Sequence, residues 1–124
     1  MALPPRLATD IDDLVRDGWE ILVTEDGNRF LLIVPKYVLP PAYTPTSVDL
    51  MVMADYMYPQ SPMDMFWTDP HVSLATGAAP QNTSSESYGN RNWQRWSYHY
   101  QWDPARHTVC THLAVVSDRL ARGC

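Results

Sequence analysis

The chain has 124 residues, a length that suits one well-buried core rather than two, so we expect a single domain over residues 1–124. Hydrophobic residues make up 45%, charged residues 19%, and the net charge is −5. A dense Lys/Arg cluster is missing, which argues against a nucleic-acid partner. Neither a bilayer-length apolar run nor a secretory signal pattern occurs. We therefore expect a soluble, cytoplasmic protein with no membrane partner.

Two helices are predicted, one near each end of the chain. The first runs from Asp10 to Asp17 and takes Thr9 or Asp10 as its N-cap, with Ile11, Leu14 and Val15 on its apolar face. The second runs from Pro104 to Arg122, with its proline in the first turn. Its apolar residues recur at spacings of three and four: Val109, Leu113, Val116 and Leu120.

Between the helices the pattern predicts four strands, at residues 20–24, 29–35, 47–54 and 63–68. Asp26-Gly27 is placed at the centre of the turn that joins the first two strands into a hairpin. From residue 69 to 92 the pattern fails, because Gly, Ala, Ser, Thr, Asn and Pro dominate. A loop this long is usually functional or disordered. The order predicts an α+β fold: a helix, a four-stranded antiparallel meander, a long irregular segment and a helix.

Three features resemble the ubiquitin-conjugating (UBC-like) fold. The first is the order and length of the helix and meander. The second is Tyr58-Pro-Gln-Ser-Pro-Met-Asp-Met-Phe66, which looks like the Tyr-Pro-x-x-Pro-x-x-x-Phe passage between the third and fourth strands of that fold. The third is Trp102-Asp-Pro-Ala105, which looks like the Trp-Ser-Pro-Ala that opens the helix after the active site. The resemblance covers nearly the whole chain and implies a conjugating-enzyme-like α+β domain.

The chain is more similar still to a bacterial branch, the prokaryotic family E of ubiquitin-conjugating-like proteins. The similar passages are residues 39–47, 64–67, 93–97 and 111–113. This resemblance implies a place in operons that also encode ubiquitin-like proteins, an activating enzyme and a JAB-type metallopeptidase. It implies a ubiquitin-like protein and an activating enzyme as partners, and for some such systems a role in defence against phage.

The resemblance draws attention to a missing nucleophile. Conjugating enzymes carry a ubiquitin-like C-terminus on an exposed cysteine, and the Asn of a His-Pro-Asn element stabilises the oxyanion. The family spacing counted back from Trp102 reaches about Gln94, and no cysteine precedes Cys110. Cys110 is expected to be a half-buried, packed thiol, and Cys124 a terminal thiol without a fixed position. Asp69-Pro-His71 is at best a scrambled remnant of the His-Pro-Asn element.

One hypothesis replaces the thiol with a hydroxyl, so that an oxyester forms instead of a thioester. Ser97 is the best-placed hydroxyl, and Ser84 and Ser85 are poorer candidates. A serine needs an adjacent base, and His99 would share a face with Ser97 on a strand. This hypothesis makes Ser97 and His99 the catalytic candidates.

The other hypothesis is a non-catalytic variant that binds the ubiquitin-like protein or the activating enzyme. Aromatic and arginine side chains often dominate interface energetics, and we expect one of the two tryptophans between residues 93 and 96 to lie in the core. An unrelated α+β interaction domain is a third possibility. The four histidines and two cysteines lack zinc-site spacing, so we expect no metal and no cofactor. The candidate interface residues are Trp93, Arg95, Trp96 and Trp102.

Overall fold

The computed structural model describes residues 3–122. The elements are α1 (Pro5–Arg16), β1 (Leu22–Asp26), β2 (Arg29–Val38), β3 (Tyr43–Thr44), β4 (Ser47–Asp55), β5 (Met65–Asp69), β6 (Ser73–Leu74), β7 (Thr83–Tyr88), β8 (Arg91–Ser97) and α2 (Val109–Ala121). Among the described residues, six strands form one antiparallel sheet in the order β1-β2-β4-β5-β8-β7, and β3 pairs separately with β6. None of their helices combines the length and apolar character needed to cross a membrane. The helix, antiparallel sheet and helix confirm the predicted α+β class.

The prediction of a four-stranded meander followed by an irregular segment is wrong in one respect. Much of residues 69–92 folds into strands, and β7 and β8 form a hairpin that joins the sheet through β8. Gly89 and Asn90 have φ values of +56° and +63°, which the two central residues of a type I′ turn require. The long segment outside regular structure shrinks to residues 75–82, between β6 and β7.

The first hairpin was predicted correctly, but its turn is shifted by one residue. Asp26 pairs with Arg29 across the hairpin, so Gly27 and Asn28 are the turn residues rather than Asp26 and Gly27. Gly27 has a φ of +64°, a conformation that glycine adopts without a steric penalty. Strand β2 continues three residues beyond the predicted end, past a register shift between Val34 and Tyr37.

The first helix begins earlier than predicted. Pro5 is its first residue, where a proline ring fits the helical φ and no backbone donor is lost. The five added residues bring Leu7 into the core beside Ile11 and Leu14. Val15, assigned to the apolar face, is instead 51% exposed.

The second helix begins later than predicted. Thr108 is its N-cap and exchanges hydrogen bonds with Thr111 in a capping box, so Pro104 lies in a separate turn before the helix. A capping box satisfies backbone donors that a helix start at Pro104 would leave to solvent. The predicted apolar stripe is confirmed, since all four of its residues are buried: Val109, Leu113, Val116 and Leu120.

Both faces of the sheet carry apolar cores. The inner face packs against α1 and α2 in a core that includes Phe30, Leu50 and Trp96. The outer face has a smaller core of its own: Leu31, Met51, Met53, Trp67 and Trp93. Successive strand residues point to opposite faces, so β4 is apolar at every position from Leu50 to Ala54 because it contributes to both cores.

Candidate functional site

The passages at residues 58–66 and 102–105 contact each other directly. The Trp102 indole donates a hydrogen bond of 2.7 Å to the Pro59 carbonyl. The Tyr58 hydroxyl accepts the backbone N–H of Val109 at 3.0 Å and donates to the Asp10 carboxylate at 2.5 Å. Burial, reinforced by Asp10, raises the pKa of Tyr58, so its hydroxyl keeps its proton. This tyrosine therefore connects α1, the 58–62 turn and the start of α2.

Position 94, where the family spacing leads, holds a buried amide in the middle of β8. Gln94 is only 4% exposed. Its side-chain oxygen accepts the backbone N–H of Val72 at 2.6 Å and the Thr68 hydroxyl at 3.1 Å. Its NH₂ group donates to the Val72 carbonyl at 3.0 Å. A side chain at this position is therefore shielded from any partner and occupied by the protein's own backbone.

Ser97 and His99 lie close together in the chain but face different partners. The Ser97 hydroxyl accepts from Arg95 Nη2 at 3.3 Å. His99 Nδ1 is 2.7 Å from Asp64 Oδ2, and the ring is largely exposed. No hydrogen bond joins Ser97 to His99 within residues 3–122. The sequence interpretation missed Asp64, although it lies in the 64–67 passage that resembles family E.

His112, which lies near Asp64, is held in a single neutral tautomer. Its Nε2 is 2.9 Å from the Met65 carbonyl, which can only accept, so Nε2 carries the proton. The Tyr100 hydroxyl then donates to Nδ1 at 2.6 Å. Burial lowers the pKa of His112, opposed in part by the Met65 carbonyl and the Asp64 charge. The burial of Tyr100 and the negative charge of Asp64 both raise the pKa of Tyr100.

The predicted interface residues are less exposed than an interface requires. Trp93 and Trp96 are each 1% exposed, on opposite faces of β8, whereas one of them was expected at the surface. Both are buried because both faces of the sheet carry a core. Arg95 is partly exposed and pairs with Glu86 at 3.2 Å. Trp102 is partly buried. Arg95 and Trp102 are thus the members of this set that a partner could contact without unfolding β8.

The prediction that Cys110 is a half-buried thiol is wrong, because the side chain is exposed. Helix α2 begins at Val109, which turns its own side chain into the core and leaves the next residue toward solvent. Cys124 lies outside the described residues. Ser84 and Ser85 are both exposed on β7 at the edge of the sheet.

The two remaining histidines each bond to another group of the chain. His71 Nε2 is 3.1 Å from Asn92 Oδ1, and His107 Nδ1 accepts the backbone N–H of Asp103 at 2.8 Å. In the part of the chain that the structure describes, no three His, Cys, Asp or Glu side chains are arranged to hold a metal ion.

Comparison of the sequence with models of known protein families identifies the family of this chain. The sequence model of prokaryotic E2 family E matches residues 7–123. The chain belongs to prokaryotic E2 family E. Searches of curated proteins and of solved structures each returned no match. Membership in family E implies a conjugating-enzyme-like role and, in general, interaction with ubiquitin-like proteins and activating enzymes.

Few of the candidate side chains of this family E member could form a covalent intermediate. The count back from Trp102 reaches about residue 94, which is a buried glutamine, and the exposed thiol of Cys110 lies beyond Trp102, on α2. The hydroxyl of Ser97 is bonded to an arginine rather than to a base. The ring of His99 is oriented by the Asp64 carboxylate, which lies 2.7 Å from Nδ1.

Proposed function

We propose that this family E chain acts in a bacterial ubiquitin-like conjugation pathway without using the usual thioester. It binds the ubiquitin-like C-terminus, or the activating enzyme that carries it, and positions it for a later step. The observation that supports this proposal most directly is Gln94, which is buried and hydrogen-bonded at the position counted for the nucleophile. A role in defence against phage is the wider setting that the resemblance to family E suggests.

The physical reason lies in what a transfer residue needs. A nucleophile must reach the carbonyl carbon of a second protein, so it needs an exposed side chain with room for a tetrahedral intermediate. The Gln94 amide has neither, and its bonds to Val72 hold the chain after β5 against β8. Replacing these bonds with a partner would leave buried backbone groups unpaired, at a cost of about 1–3 kcal/mol each.

Transfer through an oxyester on Ser97 is the second candidate. It is favoured by the Asp64–His99 pair, because a carboxylate on Nδ1 leaves Nε2 available to take a proton. The hydroxyl would first exchange its bond to Arg95 for one to His99. In that reaction Ser97 Oγ attacks the C-terminal carbonyl of the ubiquitin-like protein and its proton passes to His99 Nε2. The bond from that carbonyl to the thiol of the activating enzyme breaks, and the released thiolate takes the proton back from His99.

The test mixes the chain with ATP and with the ubiquitin-like protein and activating enzyme encoded in its operon. We expect a non-covalent complex and no covalent adduct on gels or by mass spectrometry. An adduct that survives reductant, breaks in alkali and disappears in Ser97→Ala would establish the oxyester instead. An adduct that reductant breaks and that disappears in Cys110→Ala would reveal a thioester and contradict both candidates.

A second test restores a thiol to the family position. Gln94→Cys, made in a Cys110→Ser and Cys124→Ser background, is expected to form no thioester because position 94 is 4% exposed. Asn92→Cys in the same background is the matched control, since residue 92 is exposed two positions earlier on β8. A thiol reagent should label the control in the folded protein and leave Gln94→Cys unlabelled. Thioester formation at position 94 would contradict the proposal.

A further inference from the structure

An open cavity lies at the end of the sheet where β2 begins, β4 ends and β5 begins, and its lining includes residues of both the outer and the inner core. Its volume is about 220 Å³, and its apolar lining includes Met53, Met63, Met65 and Trp67. An engineered cavity of about 150 Å³ holds a benzene molecule, whereas drug-sized ligands occupy about 300 Å³ or more. The size therefore fits one large side chain better than a nucleotide or a cofactor.

One wall of this cavity is rigid and the rest is pliable. The Trp67 indole donates to Glu86 Oε1 at 3.0 Å, and Tyr88 packs against the same ring at 5.9 Å between centroids. Three methionines form much of the remaining lining, and unbranched thioether side chains adapt to differently shaped guests. A fixed aromatic wall opposite methionines suits an inserted apolar side chain whose exact shape is not critical.

The rim of the cavity is mainly acidic. Asp55 and Asp64 line it, and Asp26 lies beside it because Asp26, Arg29 and Asp55 are neighbours across three strands. Arg29 is the one basic residue of the lining, and its Nη1 contacts the Met53 sulfur at 3.7 Å. Three carboxylates around one guanidinium leave a net negative rim, which favours a guest with basic residues beside the inserted side chain.

Exposed apolar side chains extend the surface beyond the cavity. Tyr56 and Met57 directly follow Asp55 and are 47% and 62% exposed. Their turn is held in place by a hydrogen bond of 2.8 Å from the Met57 N–H to the Asp55 carboxylate. Large apolar side chains exposed beside an apolar cavity are typical of a protein-binding surface.

We propose that this cavity binds a basic peptide segment of a partner protein, with one large apolar side chain inserted between Trp67 and the methionines. Lysine or arginine residues on either side of the inserted side chain pair with Asp55 and Asp64. Gln94 is not part of the lining, so this inference does not depend on the proposed function. Two lining residues do neighbour the Ser97 region, since Met65 pairs with Ser97 across the sheet and Asp64 contacts His99.

The test uses the full chain, labelled at its methionine methyl groups, and a synthetic probe, acetyl-Lys-Lys-Phe-Lys-Lys-amide. We expect the methyl resonances of Met53, Met63 and Met65 to shift on titration, with those of the fully buried Met51 changing least. Replacing the Phe of the probe by Ala, or its lysines by glutamates, should each weaken binding by at least about tenfold. Raising NaCl from about 0.05 M to about 0.5 M should weaken it further.

Variants of the chain locate the contacts. Asp55→Asn should weaken binding of the lysine probe several-fold, whereas Asp12→Asn, the same charge change on the exposed face of α1, should not. No shift with the lysine probe, or equal shifts with the glutamate or alanine probe, would overturn the proposal. Methyl shifts that follow the concentration of the protein itself would identify a second copy as the occupant and would also overturn it.

Discussion

Two buried polar side chains, His112 and Gln94, are held by hydrogen bonds that leave little freedom. His112 stacks on Tyr100 with 5.7 Å between ring centroids while both of its nitrogens are bonded. The side-chain oxygen and nitrogen of Gln94 both form hydrogen bonds with the backbone of the same residue, Val72. Such fully satisfied buried groups tend to specify one arrangement of the chain, because any alternative leaves a donor or acceptor unpaired.

The buried histidine predicts a pH dependence of stability. Because burial lowers the pKa of His112, the folded state binds fewer protons than the unfolded state once the pH falls below about 6.5. The contribution of His112 to the free energy of unfolding is therefore complete above that pH and is lost as the pH falls, by up to about 1.4 kcal/mol per pH unit. Urea unfolding at about pH 7 and about pH 5 should show a smaller decrease for His112→Gln than for the unchanged chain.

His71→Gln is the matched control, because His71 is exposed and its bond to Asn92 lies at the surface. This variant should keep the pH dependence of the unchanged chain. An equal pH dependence in His112→Gln and the unchanged chain would show that His112 does not contribute.

The β7–β8 hairpin is the element that most changes the interpretation of the chain. It places Trp93 and Trp96 on a strand with neighbours on both sides, so the two aromatic side chains enter opposite cores. Its outer strand, β7, consists largely of Ser, Thr and Glu, and this polar composition is suited to a solvent-exposed sheet edge. The hairpin depends on its two-residue turn, because both turn residues need positive φ values.

Gly89→Ala tests the importance of that turn. An ideal Cβ at Gly89 meets no atom within 4 Å, so the cost of the substitution comes from the backbone conformation alone. We expect the free energy of unfolding to fall by about 1–2 kcal/mol, measured by urea denaturation. Ser87→Ala, an exposed change in the same hairpin, should cost less than about 0.5 kcal/mol. Equal costs for the two variants would mean that the turn is not what holds the hairpin.

At the scale of the described chain, the sheet is covered differently on its two faces. The helices cover the inner face, while the outer face is covered by its own large side chains, with the Arg91 guanidinium 4.3 Å from the centre of the Trp93 ring. Arg91 also bridges Asp49 and Asp69 at 2.8 Å each, which joins β4, β5 and β8. The region that resembles the active site of conjugating enzymes is thus part of the sheet rather than a loop beside it.

This architecture predicts a graded pattern of amide hydrogen exchange. Residues 91–97 in β8 lie between β5 and β7, so they should exchange as slowly as the central strand β4, through global unfolding. Residues 75–79 are exposed and lie outside the main sheet, so they should exchange much faster than β8, with the hydrogen-bonded amides of Ala75 and Gly77 the slowest of the five. Mass spectrometry of peptides from the labelled protein measures both. Rapid exchange throughout residues 83–97 would contradict the sheet order.

The β7–β8 hairpin also shows where sequence interpretation was limited. The signal for its turn, Gly89-Asn90, is present in the sequence, but the polar Thr83–Tyr88 strand lacks the apolar alternation that identifies a strand. The exposure of Cys110 was mispredicted for a similar local reason, since it depends on which residue begins α2.

The sequence by itself determined the α+β class, the approximate position of most strands, the apolar stripe of α2 and the similarity to family E. These properties depend on periodicity and on short motifs, which are local in the chain. Only the tertiary structure decided that Trp93 and Trp96 are both buried. It also decided that the buried side chain of Gln94 is hydrogen-bonded to Val72, and that Asp64 orients His99 from 35 residues away. The reason is physical: such contacts form when the strands pair and the helices close over them, and no local pattern specifies which distant residues will then become neighbours.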